Sequence, residues 1–305
     1  MPGAAPFRTK LWRMMTRRRF LHDAAVGTAA ALVPIQQPQA YKMGLQLFTM
    51  RAPMSKDTAG TLKRIASLGY QEVETYGFDP QGMGYYGMAA SAFAQLLRDN
   101  NLTTPSGHYD LNRFVTTSED DLKRYMDRCI EGAKVLGQTY VTWPYLDPET
   151  RSLESFKTVV RRLNLIGQQA KAAGLLVAYH NHDFEFTDHN GQIGYDIVTK
   201  ETDPALVKLQ IDLYWIARAS PVPAAEWFKR QPGRFVMWHV KDMHKVSRDY
   251  TELGNGTVDF SAIFPHARLA GLQHYFVEQG GNFASDPFRS ITDSAEYMKR
   301  NPIRK

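Results

Sequence analysis

The chain has 305 residues, of which 43% are apolar and 22% charged, with a formal net charge of +6. This composition is ordinary for a globular protein, so it excludes a disordered chain, a collagen and a coiled coil. The basic excess would suit nucleic acid or an acidic membrane. It is confined to one end, however, because six basic residues lie within residues 1–22, whereas residues 41–305 carry 31 basic and 30 acidic side chains.

Residues 1–40 are predicted to be an export signal and linker. The segment Thr16–Leu21 reads Thr-Arg-Arg-Arg-Phe-Leu, which resembles the twin-arginine motif, and a short Ala-rich run follows it before Pro34. This run is too short to span a bilayer. We therefore expect cleavage near Ala40, a periplasmic or secreted protein, and no stable membrane anchor after processing.

Residues 41–305 are predicted to form one catalytic domain, because short β-rich runs alternate there with helical patterns. The strands are predicted near 43–48, 71–75, 102–107, 139–143, 175–180, 206–212, 235–240 and 273–278. The helices are predicted near 57–68, 89–100, 118–136, 152–173, 193–200, 223–230, 259–269 and 286–300. Eight β-α units of this kind predict a single (β/α)8 TIM barrel. The alternative is a doubly wound open sheet, but no Gly-rich phosphate-binding fingerprint follows the first strand.

The ends of the predicted strands hold the candidate site, because catalytic side chains of such barrels lie at the C-terminal ends of the strands. Almost every strand ends in a titratable or aromatic residue. These residues are Glu74, His108, Trp143, His180, His182, Asp212, His239 and Glu278. Alternation along the sixth strand makes residues 207, 209 and 211 one apolar face, so Asp212 points to the barrel axis. For the last two strands the alternation does not determine which face points into the barrel.

Four of these side chains can form a metal site. Two imidazoles and two carboxylates can hold one divalent cation and leave positions for substrate oxygens. The predicted ligands are His180, Asp212, His239 and Glu278. Such a mixed nitrogen and oxygen set favours Mn, Co, Fe or Zn over Mg or Ca.

Five segments resemble the xylose-isomerase-like sugar phosphate isomerase/epimerase superfamily. They are Gly44–Arg51, Ala178–Phe186, Ile211–Trp215, His239–Asp242 and Phe276–Gln279. The resemblance covers essentially residues 41–300. It implies a barrel that binds one divalent metal through Glu, Asp, His and Glu on strands five to eight, and Asp212, His239 and Glu278 match the last three. In the fifth strand this chain departs from the pattern, since His180 stands where many members have Glu.

The resemblance implies a metal-dependent sugar isomerase or epimerase that acts through an enediolate. Glu278 or the imidazole of His182 is the predicted base. Glu74, His108 and Lys241 are the predicted contacts for sugar hydroxyls and for proton return, and Trp143 is predicted to stack on a sugar face.

Three alternatives stay open. The first is a metal-dependent 3-keto-glycoside lyase that works by β-elimination. This reaction needs only one base, a metal and a proton donor, so it tolerates the loss of the Glu that many family members have in place of His180. An apurinic endonuclease needs an electropositive groove, which the near-neutral body disfavours, so no nucleic-acid partner is expected. The third is a non-catalytic sugar-binding barrel. The expected partner is a small-molecule sugar, and the sequence leaves open which sugar it is and whether the protein is a homo-oligomer.

Overall fold

The protein was analysed as a computed structural model, which describes Met1, Gly3 and residues 39–305. The predicted twin-arginine motif and the Ala-rich run lie outside the described residues.

In residues 39–305, eight parallel strands close into a barrel in which each strand pairs with its neighbours in the chain and the last pairs with the first. The strands are β1 (Met43–Gln46), β2 (Glu72–Thr75), β3 (Thr103–His108), β4 (Tyr140–Trp143), β5 (Leu176–His180), β6 (Val207–Asp212), β7 (Met237–Val240) and β8 (His274–Val277). The predicted (β/α)8 barrel is confirmed, and the open-sheet alternative is excluded because β1 pairs with both β2 and β8.

Helices surround the barrel. Within residues 39–305 they are Arg51–Lys56, Thr58–Ser67, Ala90–Asp99, Glu119–Leu136, Leu153–Ala172, Gly194–Glu201, Leu213–Ala219, Ala224–Arg230, Phe260–Ile263, Ala267–Ala270 and Pro287–Arg300. Their ends follow the local sequence. Ser118 caps the helix Glu119–Leu136 by accepting a hydrogen bond from the backbone N–H of Asp121, and Gly137 ends it in the left-handed conformation at φ 71°.

Two kinds of core hold the barrel together. The larger lies between the strands and the helices, where Trp238 stacks on Phe228 with ring centroids 5.1 Å apart. The smaller one is a cluster of five buried residues that includes Met237 and Phe276. Gly44 leaves room for Phe276, because a Cβ at residue 44 would lie 2.7 Å from the Phe276 ring. Apolar side chains therefore fill part of the barrel and leave the strand ends for polar ones.

The structure differs from the sequence prediction at three places. Strand β1 ends at Gln46, and a 3-10 turn, Leu47–Met50, leads into the unpredicted helix Arg51–Lys56. The helix Leu213–Ala219 was also not predicted. The helix predicted at 259–269 is interrupted by the 3-10 turn Phe264–His266, because Pro265 cannot continue the backbone hydrogen bonding of an α-helix.

Two small antiparallel sheets follow strands β2 and β7. The first contains Phe78–Asp79, Gly84–Tyr85 and Met88–Ala89, and the second pairs Asp242–Met243 with Tyr250–Thr251. Both come directly after the C-terminal end of a barrel strand. They therefore extend the barrel at the end where the candidate site lies.

Candidate active site at the barrel mouth

The C-terminal ends of β1–β8 gather at one end of the barrel, which we call the mouth. Several titratable side chains are buried there. They are Glu74, His180, Asp212, His239, Lys241 and Glu278, each at most 8% exposed. Burial of an unpaired charge costs several kcal/mol. The arrangement of these groups must therefore balance their charges within the cluster.

Asp212 serves both the fold and the site. Its Oδ1 accepts hydrogen bonds from the backbone N–H groups of Tyr214 and Trp215, so it is the N-cap of the helix Leu213–Ala219. Its Oδ2 lies 2.7 Å from Nζ of Lys241. Because one oxygen is fixed by the helix, the other is held in place at the mouth. The side chain is fully buried, as the alternation along the sixth strand predicts.

His239 lies between two carboxylates. Its Nδ1 is 2.6 Å from Oε2 of Glu278, and its Nε2 is 2.6 Å from Oε2 of Glu74. Burial lowers the pKa of His239, but the two carboxylates raise it more strongly, to about 9. Burial raises the pKa of Glu278, but the positive charges of Lys241 and His239 lower this pKa below the usual range. Without a metal ion, the two carboxylates therefore favour the protonated form of this imidazole.

Lys241 is the second cation of the cluster. Its Nζ lies 2.7 Å from Oδ2 of Asp212 and 2.7 Å from Oε2 of Glu278, and the side chain is only 4% exposed. Burial lowers the pKa of Lys241, but Asp212 and Glu278 raise it above the usual range. The ammonium group thus bridges the two carboxylates that the sequence predicts as metal ligands.

His180 and His182 bring two neutral imidazoles to the mouth. Their ring centroids are 4.9 Å apart, and neither Nδ1 has a hydrogen-bond partner among the described residues. Burial lowers the pKa of both rings well below the usual range, and neighbouring positive groups, including Lys241, lower it further. Nε2 of His180 lies 3.7 Å from Oδ2 of Asp212. Both imidazoles can therefore act as bases or as ligands.

Glu74 is the central acceptor below the mouth. Oε1 accepts hydrogen bonds from Ser106 Oγ at 2.6 Å and from Gln210 Nε2 at 2.7 Å. Oε2 accepts one from Gln46 Nε2 at 2.7 Å, and it also lies near the rings of His239 and His108. Burial raises the pKa of Glu74, but the two histidines lower it well below the usual range. This carboxylate therefore orients both imidazoles.

A cavity of about 460 Å³ opens above the cluster. Its polar floor includes five predicted site residues, His108, His180, His182, Lys241 and Glu278, and the exposed Asp110 also lines the cavity. Its rim is aromatic and comprises Phe48, Tyr76, Tyr145 and Tyr250. The Phe48 and Tyr145 side chains are 41% and 39% exposed. A charged floor below an aromatic rim suits a small polar molecule such as a sugar.

The predicted substrate contacts divide into two groups. His108 and Lys241 line the cavity. Glu74 and Trp143 are not among the lining residues, and both are fully buried. The Trp143 indole N–H donates to the backbone oxygen of Tyr145, so the tryptophan supports the rim from below. The structure thus places Trp143 in the core and Glu74 beneath the floor.

Two buried carboxyl groups support the loops around the mouth. Glu185 accepts hydrogen bonds from the Tyr179 hydroxyl at 2.8 Å and from the His182 backbone N–H at 2.9 Å, and burial raises its pKa to about 8. Asp242 accepts from the backbone N–H groups of Gly254 at 2.9 Å and Gly256 at 3.0 Å. These contacts hold the segments after β5 and β7 in place.

The residues at the mouth fit a divalent cation. Asp212, His239 and Glu278 offer ligand atoms within 4.8 Å of one another, and so do His108, His180 and His239. Nδ1 of His180 is buried and makes no hydrogen bond among the described residues, so it is available as a ligand atom. Mixed carboxylate and imidazole donors suit transition metals.

The sequence of residues 62–300 matches the family model described as the xylose isomerase-like TIM barrel. The chain belongs to this family. No curated protein matches it. The family and the relation to sugar phosphate isomerases/epimerases that the sequence predicts are confirmed. In the described residues, no helix has both the length and the apolar character that a membrane span requires.

Several solved structures are similar to this xylose isomerase-like barrel. A sugar phosphate isomerase/epimerase from Parabacteroides distasonis has 26% sequence identity and a TM-score of 0.76, and the match covers 88% of this chain and 97% of that one. An IolI protein with a bound zinc atom has 17% identity and a TM-score of 0.64, over 85% and 97% of the two chains. A probable 3-DHS dehydratase, AsbF, from Bacillus anthracis has 13% identity and a TM-score of 0.66, over 85% and 98%. The last two show the fold alone.

Several residues of the site were not predicted from the sequence. They are Gln46, Ser106 and Gln210 below the floor, and Phe48, Tyr76, Asp110, Tyr145 and Tyr250 around the cavity. Gln46 and Gln210 could have been found, because each lies on the inward face of a strand. The rim residues lie in the segments that follow the barrel strands, where the alternation of the barrel strands gives no signal.

Proposed function

We propose that this protein is a divalent-metal-dependent sugar isomerase or epimerase, which moves a proton on a carbon next to a sugar carbonyl. One observation carries the proposal. The unpartnered imidazole of His182 lines the same cavity as Glu278 and Lys241, directly above the carboxylate and imidazole cluster. Membership of the xylose isomerase-like family supports it.

His182 is the base in this proposal. The sequence left Glu278 as an equal choice, but Oε2 of Glu278 is engaged by both His239 and Lys241 at 2.6 and 2.7 Å. Nδ1 of His182 has no partner within the described residues. His182 lines the cavity, and its ring forms no ion pair within the described residues, so it can accept a proton without first breaking one. Glu185 fixes the backbone of His182 and so directs the ring.

The metal site in this proposal comprises the residues predicted from the sequence, His180, Asp212, His239 and Glu278. A divalent ion held there would supply Lewis-acid stabilisation of the negative charge that develops on the substrate oxygens. Lys241 lines the cavity beside Glu278, and its ammonium group can donate a hydrogen bond to one of these oxygens. The aromatic rim of Phe48 and Tyr145 would limit the access of water.

The proton balance is simple. His182 takes the proton from the carbon next to the carbonyl, and the two electrons of the C–H bond form the enediolate. Delivery of this proton to the former carbonyl carbon, together with transfer of the hydroxyl proton from one enediolate oxygen to the other, gives an isomer. An epimer requires a second group to donate a proton to the opposite face of the same carbon, and His108 and Lys241 line the cavity and can serve as that donor. Expulsion of a leaving group from the β carbon would instead give the lyase reaction on a 3-keto-glycoside, with the same base.

The test is incubation in deuterated water of the protein reloaded with Mn²⁺, Co²⁺ or Zn²⁺. The substrates are aldoses, ketoses, their phosphates and a 3-keto-glycoside, and the products are identified by NMR. Deuterium next to the carbonyl of an intact, rearranged sugar supports the proposal. A released aglycone supports the lyase instead. Failure of the purified protein to bind any divalent ion contradicts both and favours a non-catalytic sugar-binding barrel.

We also propose that the chain is exported through the twin-arginine pathway and acts in the periplasm or outside the cell. The sequence of Thr16–Leu21 supports this proposal. That route transports folded proteins, which suits a protein that acquires a metal before export.

A further inference from the structure

A third imidazole faces the proposed metal site from strand β3. His108 is the last residue of β3, its side chain is 12% exposed, and it lines the floor of the cavity. Its ring centroid lies 5.1 Å from that of His180 and 5.2 Å from that of His239. The rings of His180 and His239 are 4.4 Å apart. Three imidazoles from three different strands thus converge on one point.

Hydrogen bonds fix which nitrogen of His108 is free. Nε2 lies 2.7 Å from Oε1 of Gln210 and 3.2 Å from Oε2 of Glu74. The Gln210 oxygen is an acceptor here, because the Gln210 amide nitrogen donates to Glu74 at 2.7 Å. Nε2 of His108 therefore carries the proton, and Nδ1 retains its lone pair. A metal-binding histidine usually donates its other ring N–H to a protein oxygen acceptor, as Nε2 of His108 does to Gln210.

The neighbouring histidines complete the pattern. Glu74 lies 2.6 Å from Nε2 of His239, so the same carboxylate holds two of the rings from below. Nδ1 of His180 is buried and has no hydrogen-bond partner in the described part of the chain. One ring nitrogen of each of His108, His180 and His239 lies within 4.8 Å of one ring nitrogen of the other two.

We propose that His108 is a metal ligand, that the ion is bound by three imidazoles together with the carboxylates of Asp212 and Glu278, and that Glu74 orients the imidazoles from outside. This inference rests on the proposed metal-dependent function and extends its ligand set to strand β3. Three nitrogen donors favour Zn²⁺, Co²⁺, Fe²⁺ or Ni²⁺ over Mg²⁺, Ca²⁺ or Mn²⁺. The replacement of the family Glu by His180 therefore shifts the metal preference toward nitrogen-binding ions.

The first test measures Co²⁺ and Zn²⁺ binding to the chelator-stripped protein by calorimetry, with the visible absorption of bound Co²⁺ as a record of its ligands. We expect His108→Gln to weaken binding at least 10-fold and to change the Co²⁺ spectrum, and Glu74→Gln to weaken binding about 10- to 100-fold. His244→Gln is the matched control, because it makes the same substitution at an exposed histidine that does not line the cavity. It should bind the ions as the wild type does.

A second variant keeps the inference testable if His108→Gln does not fold. His108→Cys places a thiolate, a strong Zn²⁺ and Co²⁺ ligand, at the same position. We expect it to bind Co²⁺ and to show a sulfur-to-cobalt charge-transfer band in the near ultraviolet. That band requires direct contact between residue 108 and the ion.

Two results would overturn the inference. Wild-type affinity and an unchanged Co²⁺ spectrum in His108→Gln would assign His108 to substrate contact alone, and so would a Co²⁺ complex of His108→Cys without the charge-transfer band. Both leave the proposed function intact. A wild-type protein that binds no divalent ion at all would remove the proposed function as well.

Discussion

The ammonium group of Lys241 is predicted to stabilise the metal-free protein by bridging two buried carboxylates. Its Nζ is 2.7 Å from both Asp212 and Glu278, and those two side chains are 0% and 8% exposed. Substitution Lys241→Met keeps an unbranched apolar chain but removes the charge. Loss of one partner of a buried ion pair costs about 3–5 kcal/mol. We expect the free energy of unfolding to fall by that amount at pH 8.

The assay is urea unfolding in the presence of a chelator. The matched control is Lys200→Met, because Lys200 lies 3.1 Å from Asp196 with its own side chain 63% exposed. Such a surface pair contributes at most about 1 kcal/mol. Loss of the ammonium group in Lys241→Met raises the folded-state pKa of one of the two facing carboxyls above its unfolded value, so that carboxyl takes up a proton. The variant therefore loses stability relative to wild type as the pH rises.

A divalent ion should reverse the effect of Lys241→Met. An ion at 100 times its dissociation constant stabilises a folded protein by about 2.7 kcal/mol. Because the ion no longer competes with an ammonium group for Asp212 and Glu278, we expect tighter Zn²⁺ binding in the variant than in the wild type. The reasoning is refuted if Lys241→Met is as stable as Lys200→Met without metal, or if the variant binds Zn²⁺ more weakly than the wild type.

Three further predictions concern other parts of the chain. The pKa of Glu185 is about 8 in the folded state and 4.5 as the reference value, so its stabilisation is present below pH 4.5 and is lost as the pH rises through 8. Denaturant titrations would measure the unfolding free energy of the wild type minus that of Glu185→Gln. This difference should fall by up to about 5 kcal/mol between pH 4 and 9. A difference that does not change with pH would contradict the prediction. Gly256→Ala places a methyl group against the Asp242 carboxylate, which should lower stability by about 1–3 kcal/mol in the same titrations. Replacement of Arg17 and Arg18 by Lys should abolish export, measured by cell fractionation and immunoblotting, and an unchanged periplasmic fraction would disprove the signal.

Much of the fold could be predicted from the sequence because strand and helix periodicities differ. The eight barrel strands begin and end within about two residues of their predicted bounds. The helix Leu213–Ala219 was missed because its apolar residues directly follow the apolar strand β6 and look like its continuation. The helix begins where Asp212 caps it, and this contact forms only because strand β6 ends at Asp212.

The site was predicted in part for a similar reason. Strand-end position and alternation are local signals, and they identified the titratable residues that meet at the mouth. Glu74 shows what local signals miss, since its partner Gln210 is 136 positions away in the chain. The choice between His182 and Glu278 also depends on distant contacts, because Lys241 and His239 engage one and leave the other free.

The central claim is that His182 moves a proton at a metal site in the mouth of the barrel. The most direct measurement compares the wild type with His182→Gln, both loaded with the same metal to the same content, for exchange of substrate hydrogen in deuterated water. We predict that the variant retains the metal and loses exchange by at least about 100-fold, the lower range for a general base. Exchange at the wild-type rate in a metal-loaded His182→Gln would contradict the account.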